Sequence, residues 1–200
     1  MTEKYSPYKK VFEKHNGLLR VAEAVRLGVP EHIVYEMVHK GDLVKETRGV
    51  YRLADSDPLG NPDLVQVSLL VPKAVICLIS ALYFYELTTQ IPHSVYIAMP
   101  KNTERPRLAY PPLEVFWMSN SLHTVGVDVH MLDGVEVKIY DREKTVADCF
   151  KFRKRVGEDI ALEALKDYVN QPNLDVDKLL QYAKLNRVEK RIMPYLKSLL

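Results

Sequence analysis

Hydrophobic and polar positions along residues 17–53 fall into two helical periods followed by two short strand-like runs. Val21, Ala22 and Val25, then Leu27 and Val29, and then Ile33, Val34, Met37 and Val38 recur at helical spacing, which predicts two helices with one apolar face each. Gly28 lies between them, where a tight inter-helix turn needs positive φ. Pro30 suits the first turn of the second helix, and Gly41 its end. Asp42–Glu46 and Val50–Leu53 predict two strands around Thr47-Arg48-Gly49. Residues 4–15, with Tyr8, Val11, Phe12 and His15 toward one side, predict a helix that closes this core. The layout is that of a winged helix-turn-helix, whose second helix enters the DNA major groove.

The pattern changes after Asp55–Asp63, DSDPLGNPD, the clearest boundary in the chain. Leu64–Leu70 fits a strand or a packed linker helix. Pro72–Gln90 is apolar nearly all round and predicts a central buried helix. Ser94–Met99, Leu113–Met118, Val125–Leu132 and Val135–Tyr140 predict strands, the last two joined by a hairpin turn at Asp133-Gly134. Asp141 is a good N-cap for a helix running to about Phe152, with Val146, Ala147, Cys149 and Phe150 inward. Three more helices are expected at about 157–169, 175–185 and 188–199. The expectation is therefore an α+β chain: a winged helix-turn-helix over 1–54, a linker over 55–63, and a mixed α/β domain over 64–200 with a helical C-terminal part.

Charge sharpens this picture only a little. The chain is 47% hydrophobic and 27% charged, with net charge +2 and pI near 8.4. Residues 1–54 hold ten Lys/Arg against seven Asp/Glu, whereas residues 55–200 hold eighteen against nineteen. The basic excess thus lies with the predicted DNA module. On its second helix, His32, Tyr35, His39 and Lys40 face outward as candidate base and phosphate contacts, together with Glu31 and Glu36, which phosphates repel. Lys45 and Arg48 would set the wing on the DNA backbone, flanked by Arg20 and Arg26. The run Lys151, Arg153, Lys154 and Arg155 is the densest positive cluster, readable as a solvated helix end or as a second contact surface.

Other chemistry is weakly signalled. Asp128 or Asp133 with Glu136 and Lys138 imitates a metal-dependent nuclease pattern, but Glu-x-Lys on a strand is commonly a cross-strand charged pair. The histidines, at 15, 32, 39, 93, 123 and 130, lack metal-ligand spacing, and no cofactor is expected. Cys77 and Cys149 read as buried reduced thiols. The opening MTEKYSPYKK is polar, and the apolar run Val75–Tyr85 is too short to span a bilayer, so a cytoplasmic bacterial or archaeal setting is expected.

One segment resembles a known family. His130-Met131-Leu132-Asp133-Gly134-Val135-Glu136-Val137-Lys138-Ile139-Tyr140-Asp141-Arg142-Glu143-Lys144-Thr145-Val146-Ala147-Asp148-Cys149 is similar to the second domain of AbiEi proteins, through Gly134, Val135, Val137, Glu143, Lys144, Thr145, Val146 and Asp148. Family members often carry Ser-Pro where this chain has Asp141-Arg142. The run Arg48-Gly49-Val50-Tyr51 also looks like the family's wing. The resemblance implies an antitoxin and transcriptional regulator that binds inverted repeats in its own promoter on double-stranded DNA and represses its operon. It further implies counteraction of a nucleotidyltransferase-like toxin, in a type IV abortive-infection arrangement without a stable complex. The residues around Thr145 themselves read as helix capping and helix-face pairing rather than as a binding surface. The rival expectation is a winged-helix protein-interaction module without sequence-specific DNA binding.

Overall fold

In the computed structural model, which describes residues 5–200, both apolar periods become helices, the first of them short. The opening helix, α1 (Ser6–Glu13), is shorter than the predicted 4–15, and Lys4 lies outside the described residues. Gly17, at φ +77°, turns the chain, and Leu18–Arg20 forms strand β1, which was not expected, just ahead of the first apolar period at Val21. Leu18 and Leu19 are buried, paired with Arg52 and Tyr51 across the sheet. So short a strand shows no alternation, and adjacent leucines fit either period, so tertiary pairing decides. Helix α2 is only Val21–Arg26, and it buries Ala24. Val25 and Leu27, expected inward, are 46% and 42% exposed.

The next helix, α3 (Glu31–His39), follows its pattern: Ile33, Val34 and Met37 are buried, each worth about 1.5–3 kcal/mol of apolar transfer. Pro30 takes the N-cap rather than the first turn. Gly41, at φ +79°, closes the helix, with its amide on the Val38 carbonyl and the Asp42 amide on that of Met37. Strands β2 (Leu43–Thr47) and β3 (Val50–Leu53) follow, in the order β1-β3-β2. The predicted two-stranded hairpin is therefore a three-stranded sheet. A register shift between Lys45 and Thr47 lets Glu46 reach Arg52, which is 9% exposed, at 2.6 Å. Arg52 also donates to the carbonyls of Leu53 and Ser56, fixing the exit from the sheet. Helix α4 (Pro62–Leu70) decides Leu64–Leu70 in favour of the helical alternative. This first unit runs to Leu70 and includes the hairpin tip Met131–Glu136. Its core joins Phe12, Leu19, Ala24, Val29, Val34, Met37, Leu43 and Leu53.

The second unit holds Val71–His130 and Val137–Leu200. Its first element corrects the long helix expected over 72–90. Strand β4 (Val75–Ile76) comes first, then α5 (Leu78–Phe84). Ile76 pairs with Ile97 on one side and Ile139 on the other, so this short strand is central and buried. A continuous apolar run does not distinguish a buried strand from a buried helix. Then come β5 (Val95–Pro100), β6 (Leu113–Met118), the short helix α6 (Asn120–His123), β7 (Val127–Leu132) and β8 (Val135–Tyr140). The sheet order is β6-β5-β4-β8-β7, with β4–β5 antiparallel and β4–β8 and β5–β6 parallel. The turn between β7 and β8 has φ +49° at Asp133 and +78° at Gly134, which suits an Asp-Gly hairpin. Helices α7 (Arg142–Lys151), α8 (Arg153–Val156), α9 (Glu158–Val169), α10 (Val176–Leu185) and α11 (Glu189–Leu199) complete the chain. Their apolar faces enclose Tyr140, Phe150, Leu165, Tyr168, Leu179 and Ile192. No helix among the described residues is long and apolar enough to cross a membrane.

Candidate nucleic-acid interface

The outward side of α3 is built by exclusion. With Ile33, Val34 and Met37 committed to the core, the 3.6-residue period sends Glu31, His32, Tyr35, His39 and Lys40 to solvent, and Glu36 to an intermediate position. Tyr35, 49% exposed, donates its hydroxyl to Glu31 Oε1 at 2.8 Å, and that bond raises its phenol above the usual range. Its ring meets Tyr51 edge-on at 6.2 Å, tying α3 to β3. Glu36 accepts from Tyr5 Oη at 2.8 Å, and Lys40 Nζ lies 5.1 Å from the Tyr5 ring centroid. Each of the two acids that count against phosphate binding is thus engaged by a tyrosine hydroxyl.

Three of the basic groups lie on the three-stranded sheet or its β2–β3 turn, Arg20 and Lys45 on opposite faces by the register. Arg48 is exposed in the β2–β3 turn next to Gly49, at φ +80°. The Gly49 carbonyl accepts from the Val21 amide at 2.9 Å, which anchors the turn to the start of α2. Arg20 stands opposite Val50 in the register, one strand from the turn. Lys45 is exposed opposite Tyr51. Arg26 is exposed in the last turn of α2, away from the strand pairing that collects the others. Arg52, which the sequence reading passed over, is not a surface contact. It sets the sheet's exit, and its place in the otherwise apolar run Val50–Leu53 was the available signal.

The second-unit cations do not form one patch. Lys151 Nζ donates to Asn186 Oδ1 at 3.2 Å, and burial lowers its pKa. Arg153 donates to the Phe150 carbonyl at 3.0 Å. Lys154 is exposed. Arg155 stacks 3.7 Å from the Phe116 ring centroid and reaches Glu114 at 3.2 Å.

Of the segment that carries the AbiEi resemblance, the α7 part from Glu143 to Cys149 is buried. Asp141 caps α7, accepting from the Lys144 amide at 2.7 Å and from Tyr182 Oη at 2.8 Å. Glu143 accepts from Tyr168 Oη at 2.9 Å, and Lys178 Nζ bridges Glu143 and Asp141 at 3.0 and 3.2 Å. Burial raises the Asp141 carboxyl. Burial lowers Lys178, but its bonds to Glu143 and Asp141 outweigh that and hold it above its ordinary value. Lys144 and Asp148, 1% and 0% exposed, pair at 2.7 Å, with Lys144 4.0 Å from the Tyr140 ring centroid and Asp148 accepting from Asn186 Nδ2 at 2.6 Å. The expected helix-face pair is therefore an enclosed network, and its role is architectural.

The nuclease-like pattern is dispersed. Asp133 accepts from the amides of Gly60 and Asn61 at 3.0 and 3.1 Å, while Lys138 donates to the Pro72 carbonyl. Among the described residues no group of three or more His, Cys, Asp or Glu is arranged to hold a metal ion. Burial pushes the Cys77 and Cys149 thiols well above their usual range, which disfavours the thiolate a nucleophile needs.

The N-terminal geometry has a counterpart among known families. Residues 6–54 match the family described as "Transcriptional regulator, AbiEi antitoxin". The matched AbiEi segment runs from the start of α1 to just past β3, and so contains α3 and the β2–β3 turn. No curated protein matches the sequence. The solved structure of the RV2827C protein from Mycobacterium tuberculosis resembles the chain with a TM-score of 0.63 at 12% identity, over 98% of this chain and 82% of that one. At that identity the likeness concerns the fold.

Proposed function

We propose that the protein is a DNA-binding autoregulator and antitoxin, with residues 6–54 serving as a winged helix-turn-helix. The observation that carries this reading is the AbiEi match over the segment that presents α3 and the basic β2–β3 turn together. In this reading α3 enters the major groove, with His32, Tyr35 and His39 at base edges and Lys40 on a phosphate. Lys45, Arg48 and Arg20 hold the backbone, and Arg26 adds a flanking contact. The protein represses its own operon and offsets a nucleotidyltransferase-like toxin in a type IV arrangement, acting as a regulator rather than an enzyme.

The second reading, a protein-docking winged helix, draws on Val25 and Leu27, both exposed on or beside α2, and on the acids of α3. Fluorescence anisotropy on DNA from upstream of the gene, at two salt concentrations and beside scrambled competitor, separates the two. Sequence-selective binding that weakens with salt supports the regulator. Absence of binding to either DNA overturns it in favour of docking.

A further inference from the structure

A cleft of about 630 Å³ opens in the second unit between α8 and α11, lined by Arg153, Arg187, Val188, Lys190, Arg191, Pro194 and Tyr195. No acid is among the lining residues. Arg191 pairs with Glu158 at 3.1 Å on the surface, and Arg153 donates to the Phe150 carbonyl at 3.0 Å. Arg187 and Lys190 are exposed. Arg187 has φ +59° just past the end of α10, a left-handed position that glycine usually takes.

Two features make this more than a positive surface. Tyr195, 38% exposed, is backed by the buried Phe150 ring at 6.3 Å, giving a fixed aromatic platform at the cleft. Pro194 lies inside α11 and has no N–H for the Lys190 carbonyl one turn back, so that carbonyl lacks its helical donor. Cations suit phosphates, an aromatic face suits an unstacked base, and a carbonyl suits a base amino group or a sugar hydroxyl. Duplex DNA keeps its bases stacked inside, whereas a single strand offers successive phosphates and an open base face together.

We propose that the α8–α11 cleft binds single-stranded nucleic acid, with Arg187, Lys190 and Arg191 on phosphates and a base stacked on Tyr195. This site is separate from the duplex-binding surface assigned to α3 and its neighbouring sheet.

The test uses the full chain and fluorescein-labelled ten-nucleotide probes, oligo-uridine RNA and oligo-thymidine DNA, by anisotropy at two salt concentrations. Wild type binds the oligonucleotides, and R187A/K190A weakens that binding at least tenfold and flattens the salt slope by about 1–2, as loss of two phosphate contacts requires. Tyr195→Ala weakens it severalfold, whereas Tyr195→Phe retains it. Binding to the upstream duplex is unchanged in all three variants and falls only with Arg48→Ala. A preference between the RNA and DNA probes identifies which strand the cleft takes. Absence of oligonucleotide binding by wild type, an unaltered affinity in R187A/K190A, or an equal fall on duplex and single strand overturns the proposal. The duplex measurements with Arg48→Ala judge the regulator reading separately.

Discussion

Helices α3 and α7 are similar in length and in residue types, yet they handle charge in opposite ways. On α3, Glu31, His32, His39 and Lys40 surround a buried apolar stripe and stay in water. On α7, Glu143, Lys144 and Asp148 are enclosed with the apolar residues, and each is held by neighbouring groups: tyrosine and lysine on Glu143, aspartate and a tyrosine ring on Lys144, lysine and asparagine on Asp148. A solvated charge tolerates loose partners, whereas a buried one without a partner costs several kcal/mol. The outer set is therefore free to meet a ligand, and the inner set is committed to the fold. The α7 segment is thus a structural hub, while the candidate recognition surface lies on α3, inside the segment that the AbiEi family model matches.

The strongest way to break this contrast is to remove one buried partner. Asp148→Ala strands Lys144 and the Asn186 amide, and is expected to cost about 3–5 kcal/mol in chemical denaturation. The double variant K144M/D148L, which removes both charges, should recover more than half of that loss. If the double variant is as unstable as the single, the network is not held by charge compensation. Next in size is Gly126→Ala. Gly126 has φ +68°, and an added Cβ would stand 2.9 Å from both Lys144 Cδ and Tyr182 Oη. A cost of about 1–3 kcal/mol is expected, and a wild-type melting temperature would show the hub to be looser than its geometry.

The sequence reached these two helices unequally. The extent of α3 followed from four apolar positions at helical spacing between Pro30 and Gly41, and the β7–β8 turn from an Asp-Gly pair, all local signals. The Asp141 cap was also legible, because capping needs only the next three residues. Burial of Lys144 and Asp148 was not, since an i, i+4 acid–base pair looks the same on a surface as in a core. Strands β1 and β4 escaped for another reason. Both are very short, and Leu18-Leu19 and Val75-Ile76 acquire extended structure from partners distant in sequence. At the candidate interface, the pattern showed which α3 residues face out, but not that Arg20 stands one strand from the Arg48 turn, or that Tyr51 braces Tyr35. The α8–α11 cleft was legible only in part: Arg153 stands in the basic run already noted, but its approach to the stretch Arg187–Tyr195 depends on how the helices pack.

On the exposed side of the comparison, substitutions should alter binding rather than stability. Arg48→Ala removes a cation from a turn whose backbone is held independently by the Val21–Gly49 bond. The expected result is duplex affinity reduced for cognate and scrambled sequences alike, with the salt slope smaller by about 1 and thermal stability unchanged. A selective loss on the cognate sequence would move Arg48 from phosphate positioning to base reading.

The smallest expected effect sharpens the solvated limit of the same comparison. Lys9 and Asp55 form an ion pair in the first unit with side chains 29% and 63% exposed, against 1% and 0% for Lys144 and Asp148. The hydrogen bond to Asp55 raises Lys9, and the bond to Lys9 lowers the Asp55 carboxyl. Because the folded Asp55 pKa lies below its unfolded value, the pair's contribution is present above the unfolded pKa and is lost as pH falls through the folded one. Solvent screening limits it to about 0–1 kcal/mol. Lys9→Ala should therefore lower the denaturation midpoint slightly at pH 7, converge with wild type near pH 3, and lose its effect in high salt at neutral pH. A loss that persists at low pH would mean that the lysine stem, not its charge, is what the first unit uses.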